Sequence, residues 1–269
     1  TLSSSSAASD VYKRQALVIS KIALDQLRSL GAPDSLKTRE ERSTFASLLN
    51  QVGWFEFRKG NVKEGSALFE ESMEIARQYG DAEILFYLCV NWGYISNFTG
   101  DYAEAERLST ESIQYSQQLT PWHTAVSSSV LGIALYNLDK MPEAYQTLTT
   151  SLDIWRTVGD PRGLCYCLLH LSLVTISLNE ISKTKAILQE SNQIAAANHD
   201  WWSLAFGNDL LGVVSLAKGK YKEALAYLEL AKARQTEVGD RYSFLHILVH
   251  MGPVSYTHLR AHETVLDLV

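Results

Sequence analysis

Apolar residues recur three and four apart along the middle of the chain, as at Leu148, Leu152 and Trp155. That spacing puts them on one face of an α-helix. β-branched residues are scattered and no Asn-Gly or Asp-Gly pair marks a hairpin, so strand signals are absent. Two series of breaks punctuate the apolar rows. One starts at Gly60, Gly100, Asp139, Asn179 and Gly219, evenly spaced except that the second interval is shorter by one. The other comprises Gly80-Asp81, Thr120-Pro121, Gly159-Asp160, His199-Asp200 and Gly239-Asp240, with the same intervals and the same irregularity. Glycine supplies the left-handed residue that closes a helix, and Asp or Thr caps the next. Pro121 and Pro161 fit a first helical position, where the missing N–H costs nothing. The pattern predicts helix–turn–helix units, each about 40 residues long.

Small residues 12 apart mark where the two helices of a unit cross. Gly53 pairs with Gly65, Gly93 with Ala105, Gly132 with Ala144, Ser172 with Thr184, and Gly212 with Ala224. Close crossing requires small side chains at the contact. A large apolar residue precedes each first member: Val52, Trp92, Leu131, Leu171 and Leu211. This pattern resembles the tetratricopeptide (TPR) repeat over roughly residues 16–252. The resemblance implies an all-α, right-handed α-solenoid of tandem helix-turn-helix repeats, at 42–80, 81–119, 120–159, 160–199 and 200–239, with partial repeats flanking them. The period exceeds the family's usual length of about 34 residues, and a Gly-Asp turn replaces the closing Pro. Such long repeats resemble the sensor segments of large bacterial regulators.

Periodicity fails at both ends. Residues 1–15 and 253–269 carry no repeat and resemble peptide translated from sequencing adapters, so they are expected to be non-native or disordered. Pro253 falls where a sixth first helix is under way at Met251-Gly252. The expectation is a fragment of a longer protein.

Composition narrows the function. The chain has 269 residues, 46% hydrophobic and 20% charged, with a net charge of −6. That balance argues against a nucleic-acid backbone as partner. The longest apolar run, Tyr166 to Leu178, is too short to span a bilayer, which takes about 18 residues, so no membrane partner is expected. Three cysteines and no signal peptide point to the cytoplasm.

Chemical motifs are lacking. No phosphate-binding Gly-x4-Gly-Lys-Ser/Thr loop, Gly-x-Ser-x-Gly or His-Glu-x-x-His occurs. His246 and His250 have metal-pair spacing but no third ligand nearby, and Cys165 and Cys167 point apart on a helix. Asn97-Phe98-Thr99 is a chance sequon at a helix end. The expectation is no enzyme, no metal and no cofactor.

The TPR resemblance also implies a concave face lined by the first helix of each repeat. In this register that face carries Trp54, Phe57, Tyr87, Tyr94, Phe98, Ile133, Tyr136, Tyr166, Leu173 and Phe206. It is aromatic and aliphatic, without the Lys, Arg and Asn set of family members that clamp a peptide carboxylate. Two outcomes stand open: an exposed apolar binding groove, or a tight curl in which these side chains bury one another. The expected function is non-catalytic: a scaffold or sensor segment of a larger regulator, binding a protein or peptide. The alternative is a small-molecule sensor using the same apolar groove.

Overall fold

The computed structural model describes residues 18–79, 82–238 and 251. Every regular element among them is an α-helix. The chain divides into two compact units, Thr1–Asp139 and Lys140–Val269, so the division falls inside the third repeat.

In the first unit, α1 covers residues 18–29. It is followed by α2 (Arg39–Lys59), α3 (Val62–Tyr79), α4 (Ala82–Thr99), α5 (Tyr102–Ser116) and α6 (Pro121–Asn137). The hairpins α2–α3 and α4–α5 pack side by side, and α6 lies on α5. The second unit holds α7 (Met141–Val158), α8 (Pro161–Ser177), α9 (Ile181–Ala197), α10 (Trp201–Ala217) and α11 (Tyr221–Val238). There α8–α9 and α10–α11 form hairpins, with α7 on α8 and α9 on α10. This is the tandem helix-turn-helix solenoid fold that the repeat implied.

The turns follow the first series of breaks. Gly60, Gly100, Asp139, Asn179 and Gly219 all have positive φ, between 58° and 93°. Left-handed backbone favours glycine and, next, Asn and Asp. Thr120 behaves differently: it is the extended N-cap of α6, with Pro121 at the first helical position, and so matches Asp160 and Asp200 rather than Gly159. The one shorter interval arises because α5 has 15 residues where α3 and α7 have 18, and its longer turn restores all but one of them. Helix α2 starts at Arg39, earlier than residue 42, because Thr38 and Glu41 form a reciprocal capping box. Gly80, Gly239, His246, His250 and both terminal segments lie outside the described residues; beyond α11 only Met251 is described, helical and buried.

Close crossings explain the small-residue pairs. A Cβ on Gly65 would lie 2.9 Å from the Gly53 carbonyl oxygen, and one on Gly212 would lie 2.7 Å from Leu228. Around these points the first unit buries Phe45, Leu49, Phe69 and Leu108, and the second Leu169, Leu188, Leu210 and Leu228. Full burial of one such side chain contributes about 1.5–3 kcal/mol. Between α5 and α6 the seam is polar instead. Ser112 donates to Ser127 at 2.8 Å, both fully buried.

Three arginine–glutamate bridges tie successive second helices together within the units. Arg28 pairs with Glu71 at 2.6 Å, Arg77 with Glu111 at 3.0 Å and Arg156 with Glu190 at 3.1 Å. The first of these shows that α1 holds the place of a second helix. It contributes Lys21, whose ammonium pairs with Glu56, a side chain only 1% exposed.

Candidate functional site

Repeat spacing sets residues one period apart opposite each other on neighbouring first helices. In the first unit this brings Trp54 of α2 against Tyr94 of α4, with ring centroids 5.5 Å apart. Helical spacing adds Phe57 and Phe98. Tyr94 meets Phe98 at 4.7 Å, Phe57 meets Phe98 at 6.3 Å, and Trp54 meets Phe57 at 6.2 Å. The four rings form a closed circuit of tilted and edge contacts, arrangements that aromatic quadrupoles favour. Trp54, Phe57 and Tyr94 are half-buried and Phe98 is exposed. Tyr87 is also exposed, Tyr136 is half-buried, and Ile133 is buried at 9%. The face is therefore partly open, and Ile133 belongs to the core beneath it.

Two amide pairs run through the first unit. Asn91 donates to the Asn50 oxygen and Asn137 donates to the Asn97 oxygen, each at 3.0 Å. Asn97 in turn donates to the Gly93 carbonyl. The donor of each pair, Asn91 or Asn137, keeps its own amide oxygen and a second N–H. Beside Tyr87, the His123 ring packs 4.7 Å from buried Phe86, and the Thr120 backbone N–H donates to His123 Nδ1 at 3.3 Å. Glu56 sits behind this face. Burial pushes its carboxyl up, but hydrogen bonds from Lys21 and Asn61, and the charge of Lys59, hold it below the usual range.

In the second unit Tyr166, Leu173 and Phe206 are half-buried. Tyr166 and Phe206 belong to a second four-ring circuit whose other members, His170 and Trp202, were not among the expected face residues. Tyr166 lies 4.2 Å from His170 and 6.3 Å from Trp202, while Phe206 lies 6.0 Å from His170 and 5.6 Å from Trp202. Sequence offered a signal: His170 follows Tyr166 by one turn, and Trp202 precedes Phe206 by one turn. The His170 Nδ1–H donates to the Tyr166 carbonyl at 2.7 Å, and burial lowers the imidazole pKa to about 4.

The cysteines are core residues. Cys165 donates to the Ser191 carbonyl and Cys167 to the Leu148 carbonyl, so their thiols face different helices. Burial pushes Cys165 up to about 11 and Cys89 to about 12, which keeps both protonated. Asn97, of the sequon, is 8% exposed. Among the described residues no group of three or more His, Cys, Asp or Glu side chains is placed to hold a metal. Among them, too, no helix is long and apolar enough to cross a membrane.

Fold and face define a tetratricopeptide-like helical-repeat protein. The family model described as anaphase-promoting complex subunit 5 matches residues 23–101 and 133–218, more than half of the chain, and the chain belongs to that family. No curated protein matches it significantly. Among solved structures it is similar to a Rap protein complexed with Competence and Sporulation Factor, with 13% identity and a TM-score of 0.72. That match covers 98% of this chain and 74% of the other. BtubC from P. vanneervenii matches with 14% identity and a TM-score of 0.63, covering 84% and 92%. A signal transduction ATPase with numerous domains and a tetratricopeptide repeat sensor, from Pyrococcus horikoshii, matches with 16% identity and a TM-score of 0.59. It covers 79% of this chain and 33% of that one.

Proposed function

We propose that this chain is a non-catalytic, cytoplasmic protein-interaction module, a scaffold or sensor segment of a larger regulatory protein. Its first-unit face would seat a peptide or protein segment. The observation that carries this reading is the partly exposed circuit of Trp54, Phe57, Tyr94 and Phe98 beside two amide pairs. Partly exposed rings bury much area on docking at little entropic cost, and aromatic anchors dominate binding energies. Amides beside them can accept from and donate to a peptide backbone. The family's description, and the similar fold of a Rap protein complexed with Competence and Sporulation Factor, support the same reading.

Selection of binding peptides against the full chain, followed by substitution, tests it. Trp54→Ala or Tyr94→Ala should weaken a selected peptide by about 1–3 kcal/mol with folding nearly intact. The exposed Lys63→Ala change should leave binding unaltered. Peptides that bind indifferently to Trp54 and Tyr94, or a stability loss of about 3–5 kcal/mol on truncation, would place these rings in the core and end the reading.

A further inference from the structure

The second aromatic circuit differs from the first in holding an imidazole. His170 commits its Nδ1–H to the Tyr166 carbonyl, so the imidazole keeps a lone pair on Nε2. That nitrogen has no protein partner among the described residues. At pH 7 the ring is uncharged, because burial holds it near 4. Tyr166 and Trp202 face each other nearly in parallel, 26° apart at 6.3 Å, and all four rings of the circuit are half-buried. Asp200, the N-cap of α10, brings a carboxylate to the same end of that helix. An organic cation gains from aromatic faces, and a guanidinium gains most because it stacks flat and carries N–H donors. The second unit already makes this contact internally: the Arg234 guanidinium lies 4.7 Å over Trp201, next to Trp202 in sequence.

We propose that Tyr166, His170, Trp202 and Phe206 form a receptor site for an arginine side chain presented by a partner peptide. The guanidinium lies against Trp202 and Tyr166 and donates to His170 Nε2. This rests on the reading of the chain as a peptide-binding module and narrows it: the first unit takes apolar anchors, and the second takes a cation.

The test uses the full chain and two tripeptides, N-acetyl-Gly-Arg-Gly-amide and its citrulline twin. Citrulline keeps the shape and loses the charge. Binding is followed by the indole N–H resonance of Trp202, assigned with Trp202→Phe. The arginine peptide should bind about tenfold tighter than the citrulline peptide, the scale of a cation–aromatic contact. Trp202→Leu, which keeps the apolar bulk, should remove about that preference. His170→Phe, which keeps a ring and loses the acceptor, should weaken the arginine peptide by about threefold or more. Equal affinity for the two peptides in the unsubstituted chain, or no shift of the Trp202 indole by either, overturns the assignment. If a peptide selected on Trp54 and Tyr94 still binds then, only the arginine site fails. If no such peptide binds either, the wider reading fails with it.

Discussion

The Asn137 side chain donates to Asn97 across one repeat, at 3.0 Å, and Asn97 passes the contact on to the Gly93 carbonyl. A buried amide in such a chain has its donors matched, so removing it leaves partners without water to replace it. Asn97→Ala should cost about 1–3 kcal/mol, read as a lower urea midpoint with an unchanged slope. Asn97→Asp should cost at least as much at pH 7, since it replaces a donor with a buried charge.

The α2–α3 crossing admits no side chain. In Gly65→Ala the new methyl meets the Gly53 carbonyl oxygen at 2.9 Å and the Phe57 nitrogen at 3.1 Å, both backbone atoms with little freedom to move. The expected cost is about 1–3 kcal/mol in thermal or chemical unfolding. Lys63→Ala, exposed on the same helix, should stay within about 0.5 kcal/mol. Equal losses at the two positions would refute the crossing.

Glu56 links stability to pH through α1. Burial raises its carboxyl, but the Lys21, Asn61 and Lys59 contacts more than offset that and hold the folded pKa below the ordinary value of 4.5. The pair's stabilisation is therefore complete above the unfolded pKa and fades as pH falls through the folded one. Lys21→Met removes the strongest partner and should destabilise the chain by about 1–3 kcal/mol at pH 7. The difference from the unsubstituted chain should shrink towards pH 4, as the stranded carboxyl takes a proton. Unfolding curves at pH 4, 5.5 and 7 provide the comparison.

His170 acts in a higher window. Burial lowers its folded pKa to about 4 from an ordinary value of 6.5. The folded state thus prefers the neutral ring; its stabilisation is full above about pH 6.5 and lost as pH falls towards 4. His170→Phe should flatten the acid limb of a melting-temperature profile across that window. Proton NMR of the unsubstituted chain should show one histidine still neutral at pH 5. An unchanged acid limb in His170→Phe would show that the ring is not buried in solution.

The serine seam between α5 and α6 makes a double-mutant test. Ser112→Ala strands the buried Ser127 hydroxyl, at about 1–2 kcal/mol, whereas in Ser127→Ala the Ser112 hydroxyl keeps the Ser109 carbonyl and the cost should be smaller. The double change removes both groups and should cost less than the sum of the singles. Additive losses would mean that the hydroxyls do not pair.

Repeat length, turn positions and crossing points were legible because each has a local signature. Left-handed turns select Gly, Asn or Asp, a crossing selects a missing side chain, and Pro121 and Pro161 sit where their lack of an N–H is harmless. What escaped depended on a phase that a fixed period cannot carry. Thr120 is legible as a cap from the Pro121 that follows it, but the fixed period aligns it with Gly159 because α5 is short. The Thr38–Glu41 box was spelled out in the sequence, yet its position ahead of the periodic segment hid it. On the candidate face, Trp54 and Tyr94 meet because they stand a full repeat apart. His170 and Trp202 join Tyr166 and Phe206 one helical turn away, and Asn91 lies just past a full repeat from Asn50; such near-misses of the period depend on side-chain reach. Ile133 follows the face register but falls into the core, while Leu173, also aliphatic, stays half-buried.

The open left-handed turns have a mechanical consequence. A Cβ at Gly60, Gly100, Gly159 or Gly219 would touch nothing within 4 Å, so nothing packs over these turns, while each hairpin is held by its crossing. A chain built this way resists pulling where helices cross and yields where they turn. Stretched between its ends, it should lengthen in steps set by one hairpin, each releasing about 130–140 Å of extended chain. The force at each step would report the crossing that had just parted, and the one sealed by Gly53 and Gly65 should differ from the one lined by serine.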